Sequence, residues 1–286
     1  MTLPKTSGNA AVIGEIASFN SPDAEAVAAY DRDGVVCLRG AASPDWLAVI
    51  EAGIAAAVSG ASSDSDVVKI KGDQGKFSFS SQAWREVEPF RQFIFDSPLP
   101  DMCWPFLKSR TLNLFYDFLL IKEARSDSAA TPWHQDHAYY PLIGQKVINC
   151  WTALDPIPPE TALRFWKGSH GPGIVYQAVK FENPSEDYKH LRAERPPIPD
   201  IDGDPEAEFL TTSLEPGDML IWSSRTFHAA PGNRLDRRRA AFSINWAGDD
   251  VTYEDVPALE TYRDPGLKTG DPITCAKFPL VRLLGH

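Results

Sequence analysis

The residues with the most chemical potential lie in one short stretch, Pro132-Trp133-His134-Gln135-Asp136-His137. His134 and Asp136 are separated by one residue. In an extended strand that spacing sends both side chains to the same face. An imidazole and a carboxylate aimed at one point make two-thirds of the two-histidine, one-carboxylate triad that holds Fe(II) and leaves positions open for reactants. The dipeptide spacing alone is equally compatible with a polar loop. What strengthens the metal reading lies downstream.

Glu215-Pro216-Gly217-Asp218 reads as a turn, followed by Met219 to His228 and then Ala-Pro-Gly-Asn-Arg-Leu-Asp-Arg-Arg. A hairpin turning between Asn233 and Arg234 would set His228 opposite Arg239 on one face. A one-residue slip would put Arg238 there instead. Alternation on the return strand favours Arg239. Arg239, Ala241, Ser243 and Asn245 form a small polar face, and Ala240, Phe242, Ile244 and Trp246 an apolar one. A guanidinium is permanently charged and grips a carboxylate through two parallel hydrogen bonds, so Arg239 suits the far end of a dicarboxylate whose other end meets the metal. Taken singly, His228 reads as a satisfied core histidine and Arg239 as a salt bridge to Asp236. The ordered set His-x-Asp, His, Arg is far more specific.

The elements that must position these groups divide the chain in two. Ser21-Pro22-Asp23 opens a helix closed by Gly34, Val35–Gly40 is a short strand, and Ser43-Pro44-Asp45 opens a second helix ended by Gly60. Residues 1–21 read as a loose lead-in. Residues 61–85 read as a mobile loop whose aromatics, in Lys76–Trp84, either touch substrate or tether it. Helices follow near 87–96 and 99–108. Strand-like runs then dominate: 110–124, 145–157, 161–170, 173–179, 207–215, 218–224 and 238–248, with Pro, Gly and Asp between them. Helices segregated from antiparallel strands predict a two-sheet jelly roll with helices outside. Residues 180–206 read as an insertion, and the last 35 or so as a surface wrap.

Four motifs give the chain a resemblance to the phytanoyl-CoA dioxygenase family of Fe(II)- and 2-oxoglutarate-dependent oxygenases. They are WHQDHAYYPL from Trp133, INCWTALDPIPPETALRFWKGSH over 148–170, EPGDMLIW over 215–222, and His228 followed eleven residues later by Arg239. The match in order and spacing covers about residues 25–250. It implies a double-stranded β-helix, mainly β with flanking helices, in a single domain spanning 1–286. Its parts are a helical portion over about 20–108, a jelly-roll core over about 109–250 and a C-terminal extension from 251. It implies iron on His134, Asp136 and His228, the C5 carboxylate of 2-oxoglutarate on Arg239, and Lys122 and Trp151 lining the cosubstrate pocket. It further implies hydroxylation, or another oxidation, of a small-molecule C–H bond with O2, releasing succinate and CO2. Asp136 favours this over halogenation, which related enzymes perform with a small residue in its place. The chain departs from the family pattern at Glu160–Leu163, Lys167–His170 and Ala230, which touches turns and cosubstrate contacts but not the ligands. Two other readings remain at this stage: a jelly-roll binding protein without activity, and a cupin-like metal enzyme that does not use 2-oxoglutarate.

Bulk properties set the remaining bounds. The net charge of −11 argues against nucleic acid and anionic membranes as partners. No apolar run reaches the length of a membrane span, and the N-terminus lacks a signal-peptide core, so a cytoplasmic protein is expected. Cys37, Cys103, Cys150 and Cys275 have no short pairing and read as thiols. His137 should face away from Asp136 and bind no metal. His170 should lock the Lys167–His170 turn, and His190 and His286 should be exposed. Gln135, Tyr139 and Tyr140 line a channel or pack the barrel. Arg234, Arg237 and Arg238 form a basic knot, as a solvated turn or an anion attractor.

Overall fold

A computed structural model of the chain describes residues 13–58, 69–71, 77–126, 130–180, 194–256, 262 and 265–284. Two sheets face each other. The larger runs in the order Ser18–Phe19, Val35–Leu38, Met219–Ser223, Val147–Ala153, Arg239–Ala247, Thr111–Lys122, Phe77–Ser81, Lys69–Lys71. Leu280–Leu283 also joins it, beside the first residues of Thr111–Lys122. The smaller sheet runs Ile13–Glu15, Phe209–Thr211, Arg164–Trp166, His228–Ala230, Thr131–His134. This is the expected jelly roll.

Alternation sorts the strands between two cores. Val36, Leu38, Ile148, Cys150, Met219, Ile221, Ala240, Phe242, Ile244 and Trp246 point out of the sandwich into one cluster with the helices. Val35, Cys37, Trp151, Ala153, Leu220, Trp222 and Ala241 point in, toward Phe165 and Leu210 of the smaller sheet. A period of two, with both faces apolar, is what a central strand covered by helices on one side requires.

Four helices cover the outer face. Helix α1, Ala24–Asp33, is capped by Asp23, whose carboxylate accepts from the Ala26 N–H at 2.9 Å, and ends at Gly34 with φ 82°. Helix α2, Pro44–Val58, crosses α3, Glu88–Asp96, at Gly53. A Cβ at Gly53 would run into the Phe90 ring, so only glycine allows this approach. Phe90 in turn stacks on Phe242 with centroids 4.5 Å apart. Each fully buried phenylalanine of this layer contributes roughly 1.5–3 kcal/mol. Helix α4, Leu99–Leu107, lies beside α3 and the Val147–Ala153 strand.

The structure differs from the sequence expectations at the periphery. From residue 13 on, the lead-in is not loose; residues 1–12 lie outside the described residues. Residues 13–15 pair in parallel with Phe209–Thr211, and 18–19 with Cys37–Leu38. One short segment therefore edges both sheets, and Arg39 fastens it by hydrogen bonds to Ser18, Thr212, Ser213 and Asp218. Within the expected mobile loop, Phe77–Ser81 pairs with Thr111–Lys122, and Lys69–Lys71 with Phe77–Ser81. Alternating Phe and Ser gave a strand pattern that polar composition outweighed in the reading. Residues 173–179 form no strand, only Val179 making a bridge, and only Arg164–Trp166 of 161–170 is a strand. The C-terminal wrap is partly structural, with Phe278 fully buried against Phe115. Gly60, His190 and His286 lie outside the described residues.

Candidate metal and cosubstrate site

The Thr131–His134 strand ends at His134, and a 3-10 turn, Asp136–Tyr139, begins two residues later. Gln135 between them is extended, with φ −111° and ψ 131°. That single extended residue keeps His134 and Asp136 on the same side. His228 arrives on the neighbouring strand, with its Cα paired to that of His134. His134 Nε2 lies 3.4 Å from Asp136 Oδ1, and His228 Nε2 lies 3.4 Å from Asp136 Oδ2. The three side chains offer ligand atoms within 4.8 Å of one another.

Hydrogen bonds set the direction of each group. His134 Nδ1 is 2.9 Å from the Pro132 carbonyl, and His228 Nδ1 is 3.1 Å from the Thr226 carbonyl. A carbonyl can only accept, so each Nδ1 carries the proton and each Nε2 presents a lone pair to the shared point. Burial pushes His228 down to about 4, against the pull of Asp136, so it is neutral at neutral pH. For Asp136, burial acts to raise the pKa. His228, His134 and Trp222 outweigh it and hold the carboxyl below the usual range. Trp222 Nε1 donates to Asp136 Oδ2 at 3.1 Å, and Asn149 Nδ2 donates to the same oxygen. Asn149 connects through the Tyr140 hydroxyl to Asn245, whose Nδ2 donates to Tyr140 at 3.0 Å. Sequence reasoning missed Asn149 and Trp222. The signal for Asn149 was present: a polar residue in the apolar run 147–153, in phase with Trp151.

The expected hairpin between His228 and Arg239 is not formed. The two strands lie in opposite sheets. His228 pairs with His134 and Phe165, whereas Arg239 pairs with Lys122. Both nonetheless face the interior, because a jelly roll brings facing strands together across the cavity as a hairpin would along an edge. The inward positions form rows across three strands: Lys122 and Arg239; Leu120, Ala241 and Ala153; Phe118, Ser243 and Trp151; Tyr116, Asn245 and Asn149. Asn149 touches Asp136, so the metal-facing groups stand at one end of this grid and the two cations at the other.

Among the described residues those cations have no carboxylate partner. Arg239 is 4% exposed, its Nε has no hydrogen-bond partner, and its guanidinium carbon lies 5.6 Å from the Trp151 ring centre. Burial pushes its pKa down to about 10. Lys122 Nζ donates to the Pro231 carbonyl at 3.1 Å and lies 3.5 Å from Thr131 Oγ1. Burial and the charge of Arg239 hold its pKa well below the usual lysine range. Among the described residues no carboxylate pairs with either. Asp236, the alternative partner for Arg239, does not reach it; neighbouring Arg238 pairs with Asp155 and Glu51.

The other histidines and aromatics find different roles. His137 bonds Ser224, its Nδ1 2.9 Å from Ser224 Oγ, and is turned away from the metal-facing point. His170 does not lock its own turn. Ser169 Oγ does so by donating to the Trp166 carbonyl at 2.7 Å, while His170 Nε2 is 3.2 Å from the Asp31 carbonyl. The basic knot contributes no cluster at the site, since Arg238 is spent on Asp155 and Glu51 at the outer face.

Comparisons with known proteins agree with this architecture. The phytanoyl-CoA dioxygenase (PhyH) family matches residues 30–241, and the chain belongs to that family. Among solved structures it is similar to the non-haem α-ketoglutarate-dependent epimerase SnoN from nogalamycin biosynthesis, in a complex with Fe3+, α-ketoglutarate and nogalamycin RO. The TM-score is 0.67 and the identity 24%, over 91% of this chain and 100% of that one. It is similar to the carbocyclase SnoK of the same biosynthesis, with a TM-score of 0.68 and 20% identity over 91% and 96% of the two chains. It is also similar to EctD from S. alaskensis in its apoform, with a TM-score of 0.63 and 15% identity over 94% and 92%. At such identities the likeness establishes the fold. No curated protein sequence matches the chain.

Proposed function

We propose that the protein is a non-haem Fe(II)- and 2-oxoglutarate-dependent dioxygenase that hydroxylates, or otherwise oxidises, a C–H bond of a small molecule. The observation that carries this reading is the pairing of two features on the interior of the sandwich: a His-Asp-His triad with its ligand atoms converging, and a buried guanidinium with no carboxylate partner among the described residues. Two imidazole nitrogens and a carboxylate on one side of an ion suit ferrous iron and leave further positions open. The donor set therefore fits iron. The Arg239–Lys122 end fits a carboxylate, because leaving two cations buried and unpaired is costly unless a ligand neutralises them. A five-carbon dicarboxylate reaching from the metal to the clamp would meet both demands, and 2-oxoglutarate is the ligand named in complexes of two similar folds.

When bound, iron with 2-oxoglutarate and O2 supplies an oxidant strong enough to take hydrogen from a C–H bond, with succinate and CO2 released. The chain's own residues orient and exclude. His134 and His228 hold their Nε2 atoms forward through Nδ1 bonds to carbonyls. Asn149 and Trp222 donate to Asp136 Oδ2 and so fix the carboxylate that would hold the metal. Arg239 would hold the far carboxylate of the cosubstrate, with Lys122 beside it. Ser243, in register between Phe118 and Trp151, would put a small side chain beside the cosubstrate. Half-buried Tyr116 and Phe118, stacked with centroids 5.7 Å apart, offer the wall on which a substrate packs. Two proteins of similar fold are named as an epimerase and a carbocyclase, so a substrate screen reads products as well as succinate.

The test is anaerobic loading with Fe(II) and 2-oxoglutarate, then a screen of small metabolites for substrate-stimulated succinate release. His134→Ala is expected to abolish turnover and iron retention. Unchanged iron content in that variant removes His134 from the ligand set.

A further inference from the structure

The residues interleaved with His134 and Asp136 face away from the metal, and they are not idle. Gln135 is 1% exposed and spends both amide hydrogens and its oxygen on backbone. Its Nε2 donates to the Arg225 carbonyl at 2.7 Å and the Ile174 carbonyl at 3.1 Å, and its Oε1 accepts the Tyr176 N–H at 3.0 Å. Arg225 lies in the turn that delivers His228. His137 grips the same turn, its N–H donating to the Ser224 carbonyl at 2.9 Å. Gln135 therefore spans both ligand-bearing segments.

It also fastens a third segment. Residues 174–179 and 194–201 form two stems joined by Gln177, whose N–H donates to the Pro196 carbonyl and whose Nε2 donates to the Arg195 carbonyl. Both stems dock on residues flanking Asp136. The Tyr139 hydroxyl donates to the Val179 carbonyl at 2.7 Å and accepts the Val179 N–H at 3.0 Å. Arg195 Nη1 donates to the Ala138 carbonyl at 3.2 Å. Ile198 and Ile201 then pack with Trp133, Phe209 and Phe227 on the outer face of the smaller sheet.

We propose that Gln135 is a positioning residue that links metal occupancy to the order of the 174–179 stem. This rests on the metal-site reading above. An ion fixes His134, Asp136 and His228 relative to one another. Fixing those segments immobilises the Gln135 amide between them, and the immobilised amide holds Ile174 and Tyr176. Linkage is reciprocal, so loosening the stem weakens the metal. The wall that the stems build over the smaller sheet is then set firmly only in the loaded enzyme.

The experiment uses the full chain and Co(II), a redox-inert stand-in for ferrous iron, followed by its visible absorption and by amide hydrogen exchange. Co(II) is expected to slow exchange of the Tyr176 and Val179 amides about tenfold in the wild type. Saturated Gln135→Met is expected to leave those amides at the metal-free rate while the His137 amide stays protected, which shows that the site itself has folded. Gln177→Ala, remote from every ligand, is expected to weaken Co(II) about fivefold, and it decides the matter if Gln135→Met does not fold. Equal stem exchange in loaded wild type and Gln135→Met, or wild-type Co(II) affinity in Gln177→Ala, overturns the linkage. A wild type that binds no Co(II) overturns the metal site instead.

Discussion

Replacing Arg239 with methionine separates two demands on one side chain. Methionine keeps the unbranched length and drops the charge. In the free protein the guanidinium is buried, its Nε is unpartnered among the described residues, and burial lowers its pKa to about 10. At about 1.4 kcal/mol per tenfold, that fall corresponds to roughly 3 kcal/mol against the charged form. The folded value lies below the unfolded one, so this cost is fully present below pH 10 and is relieved only as pH rises from 10 toward the ordinary guanidinium value. At pH 7 it is constant. The cation–π contact with Trp151 offsets about 0.5–2 kcal/mol of it, and a thioether replaces part of that contact. The metal-free variant should therefore match the wild type or exceed it by about 1–2 kcal/mol, a rise of a few degrees in Tm. Cosubstrate binding should move the other way. Removing one partner of a buried ion pair costs about 2–5 kcal/mol, at least a roughly thirtyfold loss of 2-oxoglutarate affinity. Denaturant unfolding at pH 7 reads the first quantity, and anaerobic titration of 2-oxoglutarate into the Fe(II)-loaded protein reads the second. A variant destabilised by more than about 2 kcal/mol, with 2-oxoglutarate affinity within about threefold of wild type, would show Arg239 to be a structural cation and refute the argument.

Three further outcomes are expected. Asp117 is fully buried, and burial raises its pKa to about 7, above the unfolded value of 3.8; the protein should lose stability as pH rises from about 4 to 7, by up to about 4 kcal/mol. Asp117→Asn, which can still accept the Trp84 N–H, should be more stable than wild type at pH 8 and equal to it near pH 4, as denaturant unfolding across that range will read. Asn149→Ala frees Asp136 Oδ2 from one of its two donors and should weaken metal binding about 10- to 100-fold, measured by Co(II) titration. Gly53→Ala drives a methyl into the Phe90 ring and should cost about 1–3 kcal/mol in Tm measurements, in spite of alanine's better helix propensity.

The sequence carried the jelly roll and the face of each residue, but not which strand meets which. Period-two alternation placed Ala241 and Ser243 inward and Phe242 and Trp246 outward, as the two cores show. The partner of Arg239 was misread, because a turn signal near Asn233 looks the same whether the chain folds back as a hairpin or crosses to the facing sheet. Asn233 does bind backbone locally, but at Glu123 and Arg237, pulling the turn toward the end of the Thr111–Lys122 strand. Short edge strands were the other loss. Ser18–Phe19 and Ile13–Glu15 have too few residues for any period to emerge, and only tertiary pairing defines them. Of the groups behind the ligands, Asn149 was marked as a polar residue in an apolar run, whereas Trp222 sat among apolar residues with nothing local to distinguish it from packing.

The segment over residues 13–19 has a consequence beyond stability. It is the outer neighbour of Phe209–Thr211 in one sheet and of Val35–Leu38 in the other. Stripped of it, both layers would present bare main-chain donors and acceptors on the same side, flanked by buried apolar side chains, and such borders recruit strands from other molecules. One strap thus guards two frontiers. A lesion that releases it, at Arg39 for instance, should announce itself as association between copies of the protein before any loss of the metal-facing residues, which are anchored on other strands.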